Sequence, residues 1–301
     1  MKTLFSIVLA AALCLADPFV CHYDGKYYIF GTGDPDGFKA YSSTDLVNWT
    51  LEEGGARDGY ALHKDDVVGD KMFWAPEVYH VGDLFYMLYT AEEKVCIAVS
   101  ESITGPYRTH GSGLLTDDRC GIDNTLFQDD DGKYYMYWVR FDLGKGNEIR
   151  SSLLSDDLTH VVGEQHRCIF AKKGWERHLG TVTEGPTVFK HNGLYYMTYS
   201  ANDYRSQDYA VGFAVAKSPL GPWKKYRKNP ILHRIAGLVG TGHSSVFLDE
   251  DGKMRMVFHS HWSKDKVGPR RTFITGLSFR KAGGKDVLVA GEDVIELQLS
   301  E

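Results

Sequence analysis

The nonapeptide DGKYYMYWV at residues 131–139 is one of five related copies along the chain, and these copies decide the fold. Each copy has a turn glycine followed by a run in which aromatic and aliphatic residues alternate. The copies are DGKYYIFGT at 24–32, GDLFYMLYT at 82–90, DGKYYMYWV at 131–139, NGLYYMTYS at 192–200 and DGKMRMVFH at 251–259. Asp-Gly and Asn-Gly are strong hairpin signals because both turn positions accept positive φ readily. Each copy therefore predicts a β-hairpin that leads into a half-buried strand.

The spacing of the copies predicts a β-propeller. Their turn glycines lie roughly 50 to 60 residues apart, which is the length of one propeller blade. Segments on both sides of each copy supply partner strands, such as FVCHY at 19–23 and KAYSSTDLVNW at 39–49 for the first copy. No stretch shows sustained helical periodicity, and no Gly- or Pro-rich linker divides the chain. We therefore expect an all-β chain, a five-bladed β-propeller that forms a single domain over residues 17–301, with a closing strand from its C-terminal residues.

Residues 1–16 resemble a signal peptide. An apolar run from Leu4 to Ala16 follows Met1-Lys2 and is too short to span a membrane. Cleavage after Ala16 would make Asp17 the new N-terminus, which favours a cut further upstream or a misassigned start. The segment predicts a secreted or periplasmic protein without a membrane span.

Charge and cysteine content exclude several classes of protein. The net charge is −6, and no basic patch predicts nucleic-acid binding. The five cysteines form no C-x-x-C pair, which disfavours a zinc knuckle and favours scattered thiols over a disulfide framework. Aromatic residues make up 13% of the chain, which suits strands and also the stacking of sugar rings.

The residues that open the inner strands predict a functional funnel, because in a propeller these strands line one central channel. The openings are Asp17-Pro18-Phe19, Trp74-Ala75-Pro76-Glu77, Ile122-Asp123-Asn124, Glu184-Gly185-Pro186 and Gly242-His243-Ser244. Charged residues at the start of apolar strands cost desolvation energy unless they have partners or a function. Turn capping or pairing with arginine explains one such carboxylate but poorly explains three at equivalent positions.

The ordered motifs resemble glycoside hydrolase family 43, the β-xylosidase and α-L-arabinofuranosidase family. They are ADPFV, WAPEV, IDNTLFQDDDGKYYMYW, TEGPTVF and TGHSSVF, and the resemblance runs from Asp17 to about Phe279. It implies a five-bladed propeller in which Asp17 is the general base and Glu184 the general acid. It also implies that Asp123 tunes the pKa of the acid and orients the substrate.

Inverting hydrolysis places two demands on these carboxylates. One must activate a water while a protonated one protonates the leaving oxygen, and the two stand roughly 6.5 to 9.5 Å apart to admit that water. We expect burial or the charge of Asp123 to keep Glu184 protonated near neutral pH. Asp17 must stay ionised, so we expect it in a wetter or better hydrogen-bonded place.

The resemblance also implies secondary site residues. Trp74 and Phe38 correspond to aromatic residues of the pocket wall, although core packing is the alternative for both. Arg271, which opens RTFITGLSF, corresponds to a sugar-binding arginine, and the adjacent Arg270 leaves the register open. His243 lies on the channel axis, where the resemblance implies that it faces a central calcium ion. A buried histidine with hydrogen-bond partners alone is the alternative, because calcium prefers oxygen ligands and histidine is a poor one.

The resemblance implies an inverting exo-acting hydrolase of terminal α-L-arabinofuranosyl or β-D-xylosyl residues in plant cell-wall polysaccharides, with a carbohydrate as its partner. An endo-arabinanase or a galactan-type glycosidase of the same fold is the alternative, because loops that the sequence cannot shape set the pocket depth. A catalytically inactive sugar-binding propeller is the alternative from a different class. It is disfavoured because all three carboxylates are present.

Overall fold

The computed structural model describes residues 11–53, 55, 57–116, 120–142 and 144–300. The first blade and a small ribbon beside it contain β1 (Ala11–Ala12), β2 (Ala16–Tyr23), β3 (Lys26–Thr32), β4 (Gly37–Phe38), β5 (Tyr41–Ser43), β6 (Asn48–Leu51) and β7 (Leu62–His63). The second and third blades contain β8 (Trp74–Val81), β9 (Leu84–Ala91), β10 (Lys94–Ser100), β11 (Arg108–Leu114), β12 (Gly121–Gln128), β13 (Tyr134–Asp142), β14 (Gly146–Leu154) and β15 (Val161–Phe170). The fourth and fifth blades contain β16 (Thr183–His191), β17 (Leu194–Ala201), β18 (Ala210–Ala216), β19 (Lys224–Lys225), β20 (Gly242–Leu248), β21 (Met254–Ser260), β22 (Arg271–Ala282) and β23 (Lys285–Glu296), and β24 (Gln298–Leu299) follows.

The strands form a five-bladed β-propeller, as the repeats predict. In blades two to five the strands follow one another in chain order across an antiparallel sheet. The first strands of the blades, β2, β8, β12, β16 and β20, contact one another in a closed ring around the axis. Four short 3₁₀ turns, at 57–59, Lys64–Asp66, Gly174–Glu176 and Ile235–Gly237, are the only helical elements among the described residues.

The turn chemistry of the repeats matches the prediction. At the first hairpin Asp24 and Gly25 have φ of 48° and 74°, and at the fourth Asn192 and Gly193 have φ of 48° and 72°. A Cβ added at Gly25 would meet no atom within 4 Å, so backbone conformation rather than space favours glycine there.

Both faces of each blade are buried against neighbouring blades, which explains the continuous apolar runs. On β3, Tyr27 and Ile29 pack into a cluster with Phe247 and Val257 of the fifth blade. Phe30 on the opposite face packs with residues of the second blade. Alternation therefore directs successive side chains of one strand into two different interfaces.

The chain ends close the ring at the outer edge of the first blade. β24 pairs in parallel with β6 at Asn48 and Trp49, and β1 pairs with β24. This confirms the predicted closing strand. Leu13 and Leu15 are 3% and 6% exposed and pack in the same core cluster as Trp49 and Leu297.

These contacts correct the predicted domain boundary. The fold includes residues 11–16, so it extends at least six residues before the expected start at residue 17. Cleavage after Ala16 would remove Leu13 and Leu15 from the core. The rest of the signal-like segment, residues 1–10, lies outside the described residues.

Two further expectations concern cysteines and membranes. All five cysteines lie in the described ranges and are unpaired thiols, as their scatter predicts. Among the described residues, no helix has the length and apolar character needed to cross a membrane.

Candidate active site

Each inner strand begins with a β-bulge at the mouth of the central channel. The pairing register between the first and second strand of every blade shifts there. One residue of each bulge has positive φ: Asp17 (51°), Ala75 (44°), Asp123 (50°), Gly185 (53°) and His243 (45°). Bulges re-aim side chains and recur beside active sites. Asp17, Asp123 and His243 therefore occupy equivalent positions, whereas Glu184 and Trp74 lie one residue earlier, which corrects the expectation that all three carboxylates are equivalent.

Asp17 lies in a cationic and hydrogen-bonded environment. Its Oδ1 is 3.0 Å from Nη1 of Arg270 and 3.2 Å from Nδ1 of His243, and Thr32 donates a side-chain hydrogen bond to it. Burial by itself raises the pKa of Asp17, but the charge of Arg270 and the other partners outweigh burial and hold this pKa well below its usual range. Asp17 is therefore ionised at neutral pH.

Glu184 has the opposite character. Burial of its carboxyl group raises its pKa to about 7, a hydrogen bond from Tyr209 opposes that rise, and the negative charge of Asp17 adds to it. The hydroxyl of Tyr209 donates to Oε1 of Glu184 at 2.7 Å. A substantial fraction of Glu184 therefore carries a proton near neutral pH, as a general acid requires.

Asp123 lies beside Glu184 at the junction of the third and fourth blades. It is 6% exposed, and its Oδ2 accepts a hydrogen bond from the backbone N–H of Gly185 at 3.3 Å. Burial, and then the charge of Glu184, raise the pKa of Asp123 well above its usual range. Asp123 and Glu184 therefore oppose each other's ionisation, and only one of them ionises easily.

His243 packs between the two aspartates. Its Nδ1 is 3.2 Å from Oδ1 of Asp17 and 3.9 Å from Oδ2 of Asp123. Its ring covers Gly185 so closely that a Cβ there would come within 3.0 Å of it. Burial lowers the pKa of His243, so we assign a neutral ring at neutral pH.

His243 is the predicted neighbour of a central calcium ion. Within the described ranges, no group of three or more His, Cys, Asp or Glu side chains is placed to hold a metal ion. Calcium takes six to eight oxygen ligands, and a histidine nitrogen is a poor substitute. Calcium at the axis therefore stays a prediction, and no catalytic step depends on it.

Two of the predicted substrate contacts lie elsewhere. Phe38 is fully buried and packs edge-on against Phe73 and Tyr89, so it belongs to the core between the first and second blades. Arg271 donates to Oε1 of Glu296 at 2.6 Å. Trp74 opens β8 and is partly exposed, so it remains a candidate for the pocket wall.

Arg270 and Tyr209 are the site residues that the sequence did not identify. Arg270, one residue before the predicted arginine, contacts Asp17, and its guanidinium lies 4.9 Å from the ring centroid of Tyr204. Tyr209 is fully buried and stacks on His259 at 5.8 Å. The only signal for Arg270 was its place beside Arg271, and nothing in the sequence marked Tyr209.

Comparisons with known proteins show which proteins this chain is similar to. The sequence pattern of the glycosyl hydrolases family 43 matches residues 11–284. A solved endo-1,4-β-xylanase from Bacteroides thetaiotaomicron VPI-5482 is 41% identical with a TM-score of 0.90, and the match covers 96% of this chain and 98% of that chain. The β-D-galactofuranosidase xynD of Aspergillus niger is 27% identical, over 89% of this chain and 80% of the relative. The arabinoxylan arabinofuranohydrolase of Paenibacillus polymyxa is 27% identical over 84% of this chain and 46% of the relative.

Proposed function

The chain belongs to glycosyl hydrolase family 43 and is a glycoside hydrolase, and we propose that it is an inverting exo-enzyme that removes terminal α-L-arabinofuranosyl or β-D-xylosyl residues from plant cell-wall polysaccharides. The observation that carries this proposal is the contrast between two carboxyl groups at one channel mouth. Asp17 is held ionised, while Glu184, with a pKa of about 7, keeps its proton in acidic and near-neutral solution. An inverting glycosidase needs this division between base and acid.

The proposed reaction is a single displacement at the anomeric carbon. Asp17 removes a proton from a water molecule as its oxygen attacks that carbon. Glu184 donates its proton to the glycosidic oxygen as the bond between this oxygen and the anomeric carbon breaks. Asp17 ends protonated and Glu184 ionised, so one proton exchange with solvent restores both groups.

The neighbouring residues have supporting roles in this proposal. Arg270 stabilises the ionised base. Asp123 orients the substrate and opposes early loss of the proton from Glu184. Trp74 offers a partly exposed ring for the nonpolar face of a pentose.

The choice of a pentose rests on the names of relatives and on the resemblance of the motifs. The relative from P. polymyxa is named for arabinoxylan and the one from B. thetaiotaomicron for xylan. Both polysaccharides are polymers of pentoses. An endo-acting hydrolase is the second candidate, because the 41% identical relative is named an endo-xylanase. A sugar-binding propeller without catalysis is disfavoured, since all three carboxylates are present and the pKa values of Asp17 and Glu184 are shifted in opposite directions.

A panel of substrates tests the proposal. We expect nitrophenol release from the α-L-arabinofuranoside or the β-D-xyloside, and loss of that release in D17N and E184Q proteins that remain folded. Product analysis on arabinan, arabinoxylan and xylan separates the two modes, because an exo-enzyme releases monosaccharide and an endo-enzyme releases oligosaccharides. No hydrolysis of any substrate by folded wild-type protein would contradict the proposed function.

Export also belongs to the proposal. The polysaccharides in question lie outside the cell, and the apolar run before Asp17 favours secretion to the periplasm or medium. Since Leu13 and Leu15 pack in the core, we place any cleavage upstream of them. N-terminal sequencing of the mature protein checks this, and a first residue after Leu13 would contradict it.

A further inference from the structure

The backbone amides at the five bulges donate hydrogen bonds from each blade to the preceding one. Four of the acceptors lie on the second strand of the preceding blade. The bonds are Ala75 N to Thr32 Oγ1 at 2.9 Å, Asp123 N to Thr90 Oγ1 at 3.2 Å, His243 N to Ser200 Oγ at 2.7 Å and Asp17 N to His259 Nδ1 at 3.1 Å. The fourth blade differs, because Gly185 N donates to Oδ2 of Asp123 at 3.3 Å.

The exception has a cause in the sequence. The four regular acceptors are the last residues of their repeats, and each pairs with the residue before a bulge: Thr32 with Ala16, Thr90 with Trp74, Ser200 with Glu184 and His259 with Gly242. In the third repeat this position is Val139, paired with Ile122. The side chain of valine has no hydrogen-bond acceptor, and the buried backbone amide of the next blade must find one elsewhere. The amide of Gly185 therefore bonds to the carboxylate of Asp123.

We propose that Val139 is a positioning residue that, by denying Gly185 a hydroxyl acceptor, directs this amide to Asp123 and fixes the Asp123 carboxylate beside Glu184. The inference rests on the proposed function, in which Glu184 is the general acid. Gly185 follows Glu184 directly in the chain, so the hydrogen bond ties the orientation of Asp123 to the backbone that carries the acid. Val139 is fully buried, which keeps its methyl groups at this junction.

The first blade shows what a hydroxyl would do at this position. Thr32 accepts from the amide of Ala75 and also donates to Asp17, so its hydroxyl lies between the amide and the carboxylate. A hydroxyl at position 139 would come between Gly185 and Asp123 in the same way. It would take the amide from Asp123, donate to the carboxylate in its place, and so move the carboxylate away from the backbone of Gly185 and from Glu184.

The formal charges around the pair stay the same in such a variant. The charged and titratable groups that face Asp123 and Glu184 are Asp17, Asp203, Tyr209, His243 and Arg270. None of them lies on β13 with Val139, and a change from valine to threonine alters no charge. A change in the titration of the acid would therefore report the changed hydrogen bonding and position of Asp123, and the distance from Gly185 N to Asp123 Oδ2 shows the change in position.

Two matched pairs of proteins isolate the hydroxyl: wild type against V139T, and V139A against V139S. We expect the hydroxyl member of each pair to have a kcat about tenfold lower, the worth of one hydrogen bond to a charged group. We also expect its alkaline limb to lie at lower pH, because Asp123 opposes ionisation of Glu184 less from a greater distance. V139A should keep the alkaline limb of the wild type and melt at a lower temperature because it loses packing. Crystal structures should show the distance from Gly185 N to Asp123 Oδ2 lengthened beyond 3.3 Å in both hydroxyl variants.

Equal kcat values and equal alkaline limbs within both pairs would overturn the inference. The same shift in V139A as in V139S would also overturn it, because packing would then be the cause. If V139T does not fold, the V139A and V139S pair decides alone. If the wild type hydrolyses no glycoside, the proposed function fails, and the crystallographic distance still tests the role of Val139 by itself.

Discussion

We predict that the hydroxyl of Tyr209 controls the proton of Glu184, the proposed general acid, and the substitution Tyr209→Phe removes this hydroxyl without disturbing the ring. This ring is fully buried and stacked on His259, and the hydroxyl donates to Glu184 at 2.7 Å. Burial raises the pKa of Tyr209 well above its usual range, so the hydroxyl stays a donor throughout the working pH range.

The size and sign of the effect follow from this single hydrogen bond. The bond stabilises the ionised form of Glu184 and so opposes the effect of burial, and the pKa that results is about 7. A hydrogen bond to a charged group contributes about 1.5 kcal/mol, which corresponds to about one pKa unit. Without the hydroxyl the pKa of Glu184 rises by that amount, and the alkaline limb of activity moves upward by about one pH unit.

The assay is the pH dependence of kcat/KM for wild type and Y209F on the best aryl glycoside. The matched control is Y107F, which removes the hydroxyl of another fully buried tyrosine, one that donates to the carbonyl of Ile103 in the core. We expect the control to lose some stability while its alkaline limb stays in place. An unmoved alkaline limb in Y209F, or one that moves downward, would refute the reasoning.

The adjacent arginines and the two predicted aromatic contacts provide further tests. Arg270→Met removes the charge that most depresses the pKa of Asp17, so the acid limb of the pH profile should move upward. Arg271→Met should leave the acid limb in place and lower the free energy of unfolding by at most about 1 kcal/mol, because it removes a partly exposed ion pair. Equal acid limbs in both variants would show that Arg270 does not control the base. Phe38→Ala should lower the free energy of unfolding in urea by about 3 to 5 kcal/mol, as a buried aromatic ring is lost. Trp74→Ala should raise KM with a much smaller loss of stability, and an unchanged KM would remove Trp74 from the pocket wall.

Local signals explain why the fold could be predicted from the sequence. The turn pairs such as Asp24-Gly25 require only their own backbone conformation, and the alternation after them follows from the geometry of a strand. Five such signals at blade spacing leave few other architectures. The motif openings then predict that Asp17, Asp123 and Glu184 meet, because first strands of blades share one channel.

Long-range packing explains the errors. Phe38 lies in the core because Phe73 and Tyr89 enclose it, and neither contact is visible from the residues near Phe38 in the chain. The choice between Arg270 and Arg271 depends on how the chain enters β22, where one residue of register reverses the direction of the side chain. Tyr209 lies between β17 and β18, and only the fold brings it to Glu184.

Turn length explains why Glu184 is offset by one residue from Asp123. The third hairpin joins Gln128 to Tyr134 through five residues and the fourth joins His191 to Leu194 through two, so equal counts back from the turn glycines reach different positions. The positive φ values at Asp17, Asp123 and Gly185 identify the equivalent positions. The sequence therefore predicts which residues gather at the channel mouth, and the structure determines their order.

The central claim is the division of roles between Asp17 and Glu184, and leaving-group dependence tests it most directly. The dinitrophenolate leaving group of an aryl glycoside departs without protonation. The leaving group of a natural pentoside needs a proton from a general acid. We predict that E184Q keeps most of its kcat on the dinitrophenyl glycoside and loses about 10²- to 10⁴-fold on the natural substrate, while D17N loses activity on both. The reverse pattern, or equal losses in E184Q on both substrates, would contradict the assignment of Glu184 as acid and Asp17 as base.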